Sequence, residues 1–216
     1  MRVLELFCGT KSFTKVAEAR GHECRTLDND PRFEPTYCMD IMDFEPSVLG
    51  DWRPDVIWAS PPCQRFSMAS TGRSWRGIWH IRDRVYQPMN RKTGIAIENV
   101  LRTLMLMDEI APALWFIENP RAVLRKMPFM PNGDSRHEVW YCQYGDTRAK
   151  PTDIWTNLEG FTWRTCHNGA KDHEEARRGA KTGTQGLKGA IERGRVPQRF
   201  CEEIIIACEK AVGRER

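Results

Sequence analysis

Short apolar runs, turn residues and stretches of helical spacing succeed one another along the first half of the chain. Residues 3–7 (Val3-Leu4-Glu5-Leu6-Phe7) read as a strand that gives way to Cys8-Gly9-Thr10. Ser12 is expected to cap a helix over 13–20, closed by Gly21. A second strand covers 24–27 and stops at Asp28-Asn29-Asp30-Pro31, and a short strand and turn covers 38–41. The next strand spans 55–59. Residues 67–93 then show no clear period and are rich in Arg, Gly and Trp. Helical spacing resumes over 94–110, followed by a strand over 114–117 and two later strands, read as antiparallel, over 138–144 and 153–155. Residues 161–195 are polar and glycine-dotted with no packing pattern. A last helix over 198–212 places Phe200, Ile204, Ala207, Cys208 and Ala211 on one face. Strand and helix alternation through the first half predicts an α/β fold with a mostly parallel sheet covered on both sides, the doubly wound type.

The chain has 216 residues, enough for one domain with at most a small appendage and a sizeable core. A 40% hydrophobic and 29% charged composition is that of a soluble globular protein. The formal charge of +4 favours anionic partners only mildly, but its distribution is uneven. Arg65, Arg73, Arg76, Arg82, Arg84, Arg91 and Lys92 share one segment with a single acid, Asp83. A second basic run extends from Arg164 to Arg199. Eight scattered cysteines without a Cys-x-x-Cys pair, after an opening apolar run too short for a signal peptide, are expected to be reduced thiols in a cytoplasmic protein. No apolar stretch approaches membrane-spanning length.

Chemistry concentrates at strand ends. Ser60-Pro61-Pro62-Cys63-Gln64-Arg65-Phe66 follows the apolar run Val56-Ile57-Trp58-Ala59. Two prolines fix φ and remove two backbone donors, so the chain stiffens and leaves the sheet just before a thiol. Glu118-Asn119-Pro120 ends the apolar run 114–117, so a thiol and a carboxylate can converge at the carboxyl edge of a parallel sheet, where such folds bind ligands. Ile97-Glu98-Asn99-Val100 offers a rival carboxylate, but Glu98 lies inside a helical pattern, and Glu118 is preferred. At the first strand end, Gly9 lets a ligand approach the backbone and a helix start presents free N–H groups. Lys11-Ser12 stand where a dinucleotide fingerprint would carry further glycines. Asp28, closing the second strand, is placed to bind ribose hydroxyls, and Asp40-Ile41 to pair an exocyclic amine and cover an aromatic ring.

In this order along most of the chain, these residues resemble the DNA cytosine-5 methyltransferases. Leu4-Glu5-Leu6-Phe7-Cys8-Gly9 is similar to the family's first S-adenosylmethionine motif, Asp28-Asn29-Asp30-Pro31 to its ribose turn and Asp40-Ile41 to its adenine pair. Pro61-Pro62-Cys63-Gln64 matches the nucleophile motif and Glu118-Asn119-Pro120 the carboxylate motif, usually Glu-Asn-Val. Residues 143–150 resemble the later Tyr-Gly…Gln-x-Arg segment, and Val196-Pro197 with the last helix the closing motif. Thr10-Lys11-Ser12 replaces the glycine-rich part of the first motif, Arg148 and Lys150 stand where the family carries Gln and Arg, and Gly194-Arg195 replaces the closing Asn and Gly.

The resemblance implies a Rossmann-like methyltransferase fold, with S-adenosylmethionine held by Phe7, Cys8, Gly9, Thr10, Ser12, Asp28, Asn29, Asp40, Ile41 and Pro61. It implies a catalytic part over 1–157, a small recognition-like region over 158–195, and a terminal helix over 196–216 packed back on the first part. The usual large recognition region is missing, as in reduced forms carried by phages and prophages, some serving restriction-modification. It also implies covalent catalysis, because C5 of cytosine is a weak nucleophile until a thiolate adds to C6. An ordinary thiol with pKa about 8.5 is only about 3% thiolate at pH 7, and Arg65 or a nearby helix start is expected to raise that fraction. Glu118 would stabilise N3, Asn119 the loop or the exocyclic amine, and Arg148 or Lys150 the O2 side or a phosphate.

A duplex hides C6, so the target cytosine must be swung out. Gln64, Arg65, Ser67, Arg73 and Arg76 are expected on DNA, with Trp75 or Trp79 filling the vacated stack and Lys181, Thr184 and Gln185 on a DNA-facing turn. The same chemistry on tRNA, and a DNA-binding remnant without turnover, are the alternatives. Cys166-His167, His173 and Cys142 suggest metal ligands, but without a second spaced cysteine pair no metal is expected.

Overall fold

The computed structural model describes residues 1–80, 83–131, 133–174 and 189–214. In chain order the regular elements are β1 (Arg2–Leu6), α1 (Ser12–Ala19), β2 (Glu23–Asp28), β3 (Tyr37–Cys38) and β4 (Val56–Ala59). There follow α2 (Thr71–Ser74), β5 (Trp75–His80), β6 (Asp83–Pro88), α3 (Arg91–Ile110), β7 (Leu114–Pro120), β8 (Arg136–Trp140), β9 (Pro151–Thr156), α4 (Ala190–Gly194) and α5 (Gln198–Arg214). Seven strands form one sheet in the order β3-β2-β1-β4-β7-β9-β8. β3, β2, β1, β4 and β7 run parallel, and β9 pairs antiparallel with β7 and β8.

Side-chain alternation decides what each face of the sheet packs against. Val3, Val56, Trp58, Leu114 and Phe116 bury against Phe13, Val16 and Ala17 of α1 and Phe200, Ile204 and Cys208 of α5. Leu4, Leu6, Ile57, Ala59 and Ile117 bury on the other face with Ala96, Val100 and Leu106 of α3. Both faces are covered, as the unbroken apolar runs of central parallel strands require. Trp58 anchors the first layer: it stacks on Phe13 at 4.5 Å and Phe116 at 5.6 Å, and Phe200 meets its edge at 6.2 Å. No helix among the described residues is long and apolar enough to cross a membrane.

The structure departs from the expected elements at several places. β1 stops at Leu6 because Phe7 takes φ +56°, which breaks strand geometry. Ser12 is the first helical residue, and Lys11, also left-handed and without a side-chain cap bond, precedes it. The orphan helix donors are satisfied from the strand below, where the Glu5 carboxylate accepts from Thr14 N at 2.9 Å and Phe13 N at 3.4 Å. α3 begins at Arg91, three residues early, because the Asn90 side chain caps it by accepting from Thr93 N at 3.0 Å. Within 67–93, where the sequence shows no period, lies the β5–β6 pair, antiparallel and separate from the main sheet. Residues Tyr141–Tyr144, expected as strand, form a 3₁₀ turn after β8.

Phe200 closes the α1–α5 layer on Trp58, Tyr141 and Tyr144. Phe200→Ala is expected to cost about 3–5 kcal/mol of folding free energy in urea titration. Glu98→Gln, on the exposed side of α3, is expected to stay within about 0.5 kcal/mol of the parent.

Candidate active site

The sheet register brings three strand ends together. Leu6, Ala59 and Ile117 lie side by side at the carboxyl edge of β1, β4 and β7, so the residues just after them converge. Topology also switches there: from β1 the chain winds through β2 and β3 on one side, then returns to β4 and β7 on the other. Open α/β sheets form their ligand crevice at such a point.

The loop carrying Cys63 is tied down on three sides. Asn119 Nδ2 donates to the Pro61 carbonyl at 3.0 Å, Trp75 Nε1 to the Arg65 carbonyl at 2.5 Å, and Val123 N to the Phe66 carbonyl at 3.0 Å. Cys63 opens a 3₁₀ turn, Cys63–Arg65, and its carbonyl accepts from the N–H groups of Phe66 and Ser67. Phe66 is wholly buried and tilts against Trp75 at 5.5 Å. Trp75, expected to face DNA, is itself 3% exposed; it supports the loop from inside.

Glu118 ends the apolar part of β7 and is buried. The Tyr141 hydroxyl donates to it at 2.8 Å, and Lys150 Nζ stands 3.8 Å away and 4.5 Å from the Tyr141 ring centroid. Burial, and then Glu118, push the Tyr141 phenol well above its ordinary range, which keeps it a donor. Lys150 holds φ +30°, an uncommon conformation for a residue with a Cβ, and its ammonium also donates to the Arg195 carbonyl at 3.5 Å. Asn119 is wholly buried, and its Oδ1 has no partner among the described residues.

Burial, nearby charges and a backbone hydrogen bond set the Cys63 thiol. Burial pushes its pKa up and the Glu118 charge adds to that, whereas Lys150 and Arg193 pull it down. The expected cation, Arg65, is not the one that acts: its place is taken by Lys150, just before β9, and Arg193 from α4. Arg148 is also placed elsewhere. Its guanidinium grips Asp146 and donates to the Glu192 carbonyl at 3.4 Å, so it braces α4 and does not face the thiol. Tyr141 and Arg193 carry no signal in the sequence, where one is a tyrosine just after an apolar strand and the other an arginine in a polar stretch.

Beside the thiol loop, a cavity of about 80 Å³ is lined by Glu5, Phe7, Cys8, Thr10 and Ser12, with Ser60 and Val196 opposite. Thr10, Ser12, Phe33 and Val196 also border a wide groove of about 1390 Å³. Gly9 takes φ +45°, and a Cβ there would meet open space, so the turn leaves room for a ligand. Asp28 shapes the turn by accepting from Gly9 N and Asp30 N, both at 2.9 Å. Phe7, Thr10 and Ser12 border the cavity and Gly9, Thr10 and Ser12 the groove, so these are the residues that would hold a bound S-adenosylmethionine. Asp40 and Ile41 do not line the cavity: Asp40 is exposed and accepts from Met42 N at 2.9 Å, and Ile41 is 3% exposed within the core. Asn29 is exposed and Pro61 buried. Glu5, unmarked in the sequence, is pushed up to about 7 by burial.

Of the remaining residues expected on DNA, Gln64, Arg73 and Arg76 are exposed and Arg65 and Ser67 half-buried. Trp79 lies in β5, opposite Arg84. Lys181, Thr184 and Gln185 lie outside the described residues.

The fold and this strand-end site define a Rossmann-like methyltransferase architecture. It matches the Entamoeba histolytica methyltransferase EhMeth with a TM-score of 0.50 at 11% identity, covering 77% of this chain and 57% of that one. The S. pombe Dnmt2 methyltransferase gives a TM-score of 0.45 at 15% identity over 76% of this chain and 52% of that one. The chain thus spans about half the length of these solved proteins. No protein-family model matches it. A protein of Frog virus 3 (isolate Goorha) named "Probable DNA (cytosine-5)-methyltransferase" is 31% identical over 171 residues, 77% of this chain and 75% of that protein. The chain belongs to the DNA (cytosine-5)-methyltransferase family.

Charge at the site yields a direct test on the thiol. Its alkylation by iodoacetamide is expected to rise with pH through a midpoint above the ordinary thiol range, since burial and Glu118 favour the neutral form. Glu118→Gln removes the repelling charge and moves the midpoint down, speeding alkylation at pH 7. Lys150→Met moves it up, each full unit changing the thiolate fraction about tenfold. Mass spectrometry of the Cys63 peptide against pH gives the profiles, and the reverse order of midpoints overturns the charge assignment.

Proposed function

We propose that the chain transfers a methyl group from S-adenosylmethionine to C5 of cytosine in DNA, through a transient bond between Cys63 Sγ and C6. The observation that carries this reading is a thiol on a fixed loop within electrostatic reach of Glu118 and Lys150 at adjoining strand ends.

When bound, S-adenosylmethionine supplies an electrophilic methyl group, and Phe7, Gly9, Thr10 and Ser12 would hold it. Cys63 loses its proton to solvent, and Lys150 and Arg193 favour the resulting thiolate. Sγ bonds to C6, and the displaced C5–C6 electron pair makes C5 nucleophilic. Glu118 takes up a proton from solvent and passes it to N3 as the ring gains charge, and Tyr141 and Lys150 keep that carboxyl in place. After C5 is methylated, its remaining proton leaves to water, the C5–C6 double bond reforms, Sγ departs and N3 returns its proton. Asn119 fixes the distance between the two groups by holding the Pro61 carbonyl.

The cytosine has to leave the duplex first, at a cost of a few kcal/mol. Arg73 and Arg76 on the α2–β5 stretch offer phosphate contacts. With Trp75 buried, the apolar side chain exposed next to the thiol loop is Met68, at 74%.

Cys63→Ala is expected to abolish methyl transfer while S-adenosylmethionine and DNA binding persist. A duplex containing 5-fluorocytosine is expected to trap a covalent adduct that maps to Cys63. Residual turnover by the alanine variant overturns the nucleophile, and transfer to tRNA with none to duplex DNA overturns the substrate.

A further inference from the structure

The fold assembles a second cluster away from the thiol site. Cys142 is buried in the Tyr141–Tyr144 turn, whereas Cys166 and His173 come from the segment that follows β9. The two sulfurs and a His173 ring nitrogen all lie within 4.8 Å of one another, and Cys166 Sγ is 3.8 Å from His173 Nδ1. A tetrahedral ion with bonds of about 2.3 Å to sulfur and about 2.0 Å to nitrogen separates its ligands by roughly 3.5–3.8 Å. The observed spacing is therefore close to that of a coordination shell. We propose that Cys142, Cys166 and His173 bind zinc.

Asp172 stands beside this set as an outer partner: its carboxylate is 3.8 Å from Cys166 Sγ and accepts from Gln143 Nε2 at 2.8 Å. Two thiolates with an imidazole select zinc over magnesium or calcium, which take oxygen donors. Main-chain bonds bracket the cluster and hold it in shape before any ion arrives. Trp140 N donates to the Arg164 carbonyl at 3.0 Å, and Glu174 N to the Thr147 carbonyl at 2.8 Å. Trp140 and Ala149 pack around the cysteines and limit water access. The sequence argues against a metal because Cys166 and His167 adjoin without a second cysteine pair. Cys142 lies far from them along the chain and reaches the site only because the turn after β8 lies against the 160s segment.

Three protein ligands leave the fourth position of a tetrahedral ion to water. Binding forms two zinc–sulfur bonds and releases the two thiol protons, with no electron transfer. The ion joins the 158–174 segment to the turn carrying Tyr141, the residue that holds Glu118. This inference is independent of the methyl-transfer reading.

The test uses the full chain, reduced and chelator-treated, titrated with Co²⁺ and then Zn²⁺. One ion per chain is expected, with the ligand-field absorption of tetrahedral cobalt, a sulfur-to-cobalt charge-transfer band, and displacement of both by zinc. Cys166→Ser and His173→Ala are expected to weaken binding beyond the ~10–100-fold loss typical of an outer partner, and Gln143→Ala to weaken it about tenfold. Cys24→Ser and Cys38→Ser serve as controls and are expected to leave the stoichiometry at one. Failure of the reduced protein to bind either ion overturns the proposal. So does a charge-transfer band unchanged in Cys166→Ser, or a Cys142–Cys166 disulfide in protein from a reducing cytosol. If the ligand variants fail to fold, the parent cobalt spectrum decides, and the absence of its charge-transfer band overturns the site.

Discussion

A single buried amide ties the two halves of the active site together. β4 leads into two prolines that contribute no N–H, so the loop carrying Cys63 cannot be fastened by its own backbone donors at that point. It offers a carbonyl instead, and Asn119, next to Glu118 on β7, donates to it. Because β4 and β7 are neighbours in register, this bond spans a short gap between rigid strand ends. Leaving a buried carbonyl unpaired would cost about 1–3 kcal/mol, so the contact fixes position as well as adding stability. The distance between thiol and carboxylate follows from the sheet, not from loop preference.

Charge at this junction is arranged in opposition. Burial and Glu118 hold the thiol in its neutral form, and Lys150 and Arg193 favour the thiolate. Lys150 reaches its place through a left-handed backbone position and a cation–π contact with Tyr141. Arg148, two residues earlier, turns the other way and grips Asp146. Two basic residues separated by one alanine thus make different contacts, one with Asp146 and the other with Glu118 and Tyr141.

Much of the fold is legible in the sequence because a short unbroken apolar run between turn residues fits a buried central strand and little else. The positions of Cys63 and Glu118 at neighbouring strand ends are legible on the same ground: Glu118 follows such a run directly, and Cys63 follows another after Ser60 and two prolines. The β5–β6 pair is not, since an isolated hairpin has no second sheet to impose a clear alternation, and its Arg, Gly and Trp residues mask the period. Trp75 illustrates the limit. Flanked by arginines along the chain it resembles an exposed DNA contact, yet Phe66 and the Arg65 carbonyl bury it. Residue preference makes Ser12 a helix cap, whereas Glu5 fills that role from a neighbouring strand that no local rule reaches. The succession of acids at strand ends points Asp40 and Ile41 to the cofactor; in the fold the Asp40 carboxylate accepts from Met42 N and Ile41 is buried.

The short segment around α4 connects regions that lie far apart in sequence. Val196 N donates to Ser12 Oγ at the cofactor turn, the Arg195 carbonyl accepts from Lys150, the Glu192 carbonyl accepts from Arg148, and Arg193 acts on the Cys63 thiol. The residues that border the cavity at Ser12 and Val196 thus adjoin those that help set the charge of the Cys63 thiol. α5 follows immediately and is locked to Trp58 through Phe200, so the segment cannot move freely at its far end. Packing of the last helix against Trp58 thus anchors the segment from which Arg193 acts on the thiol.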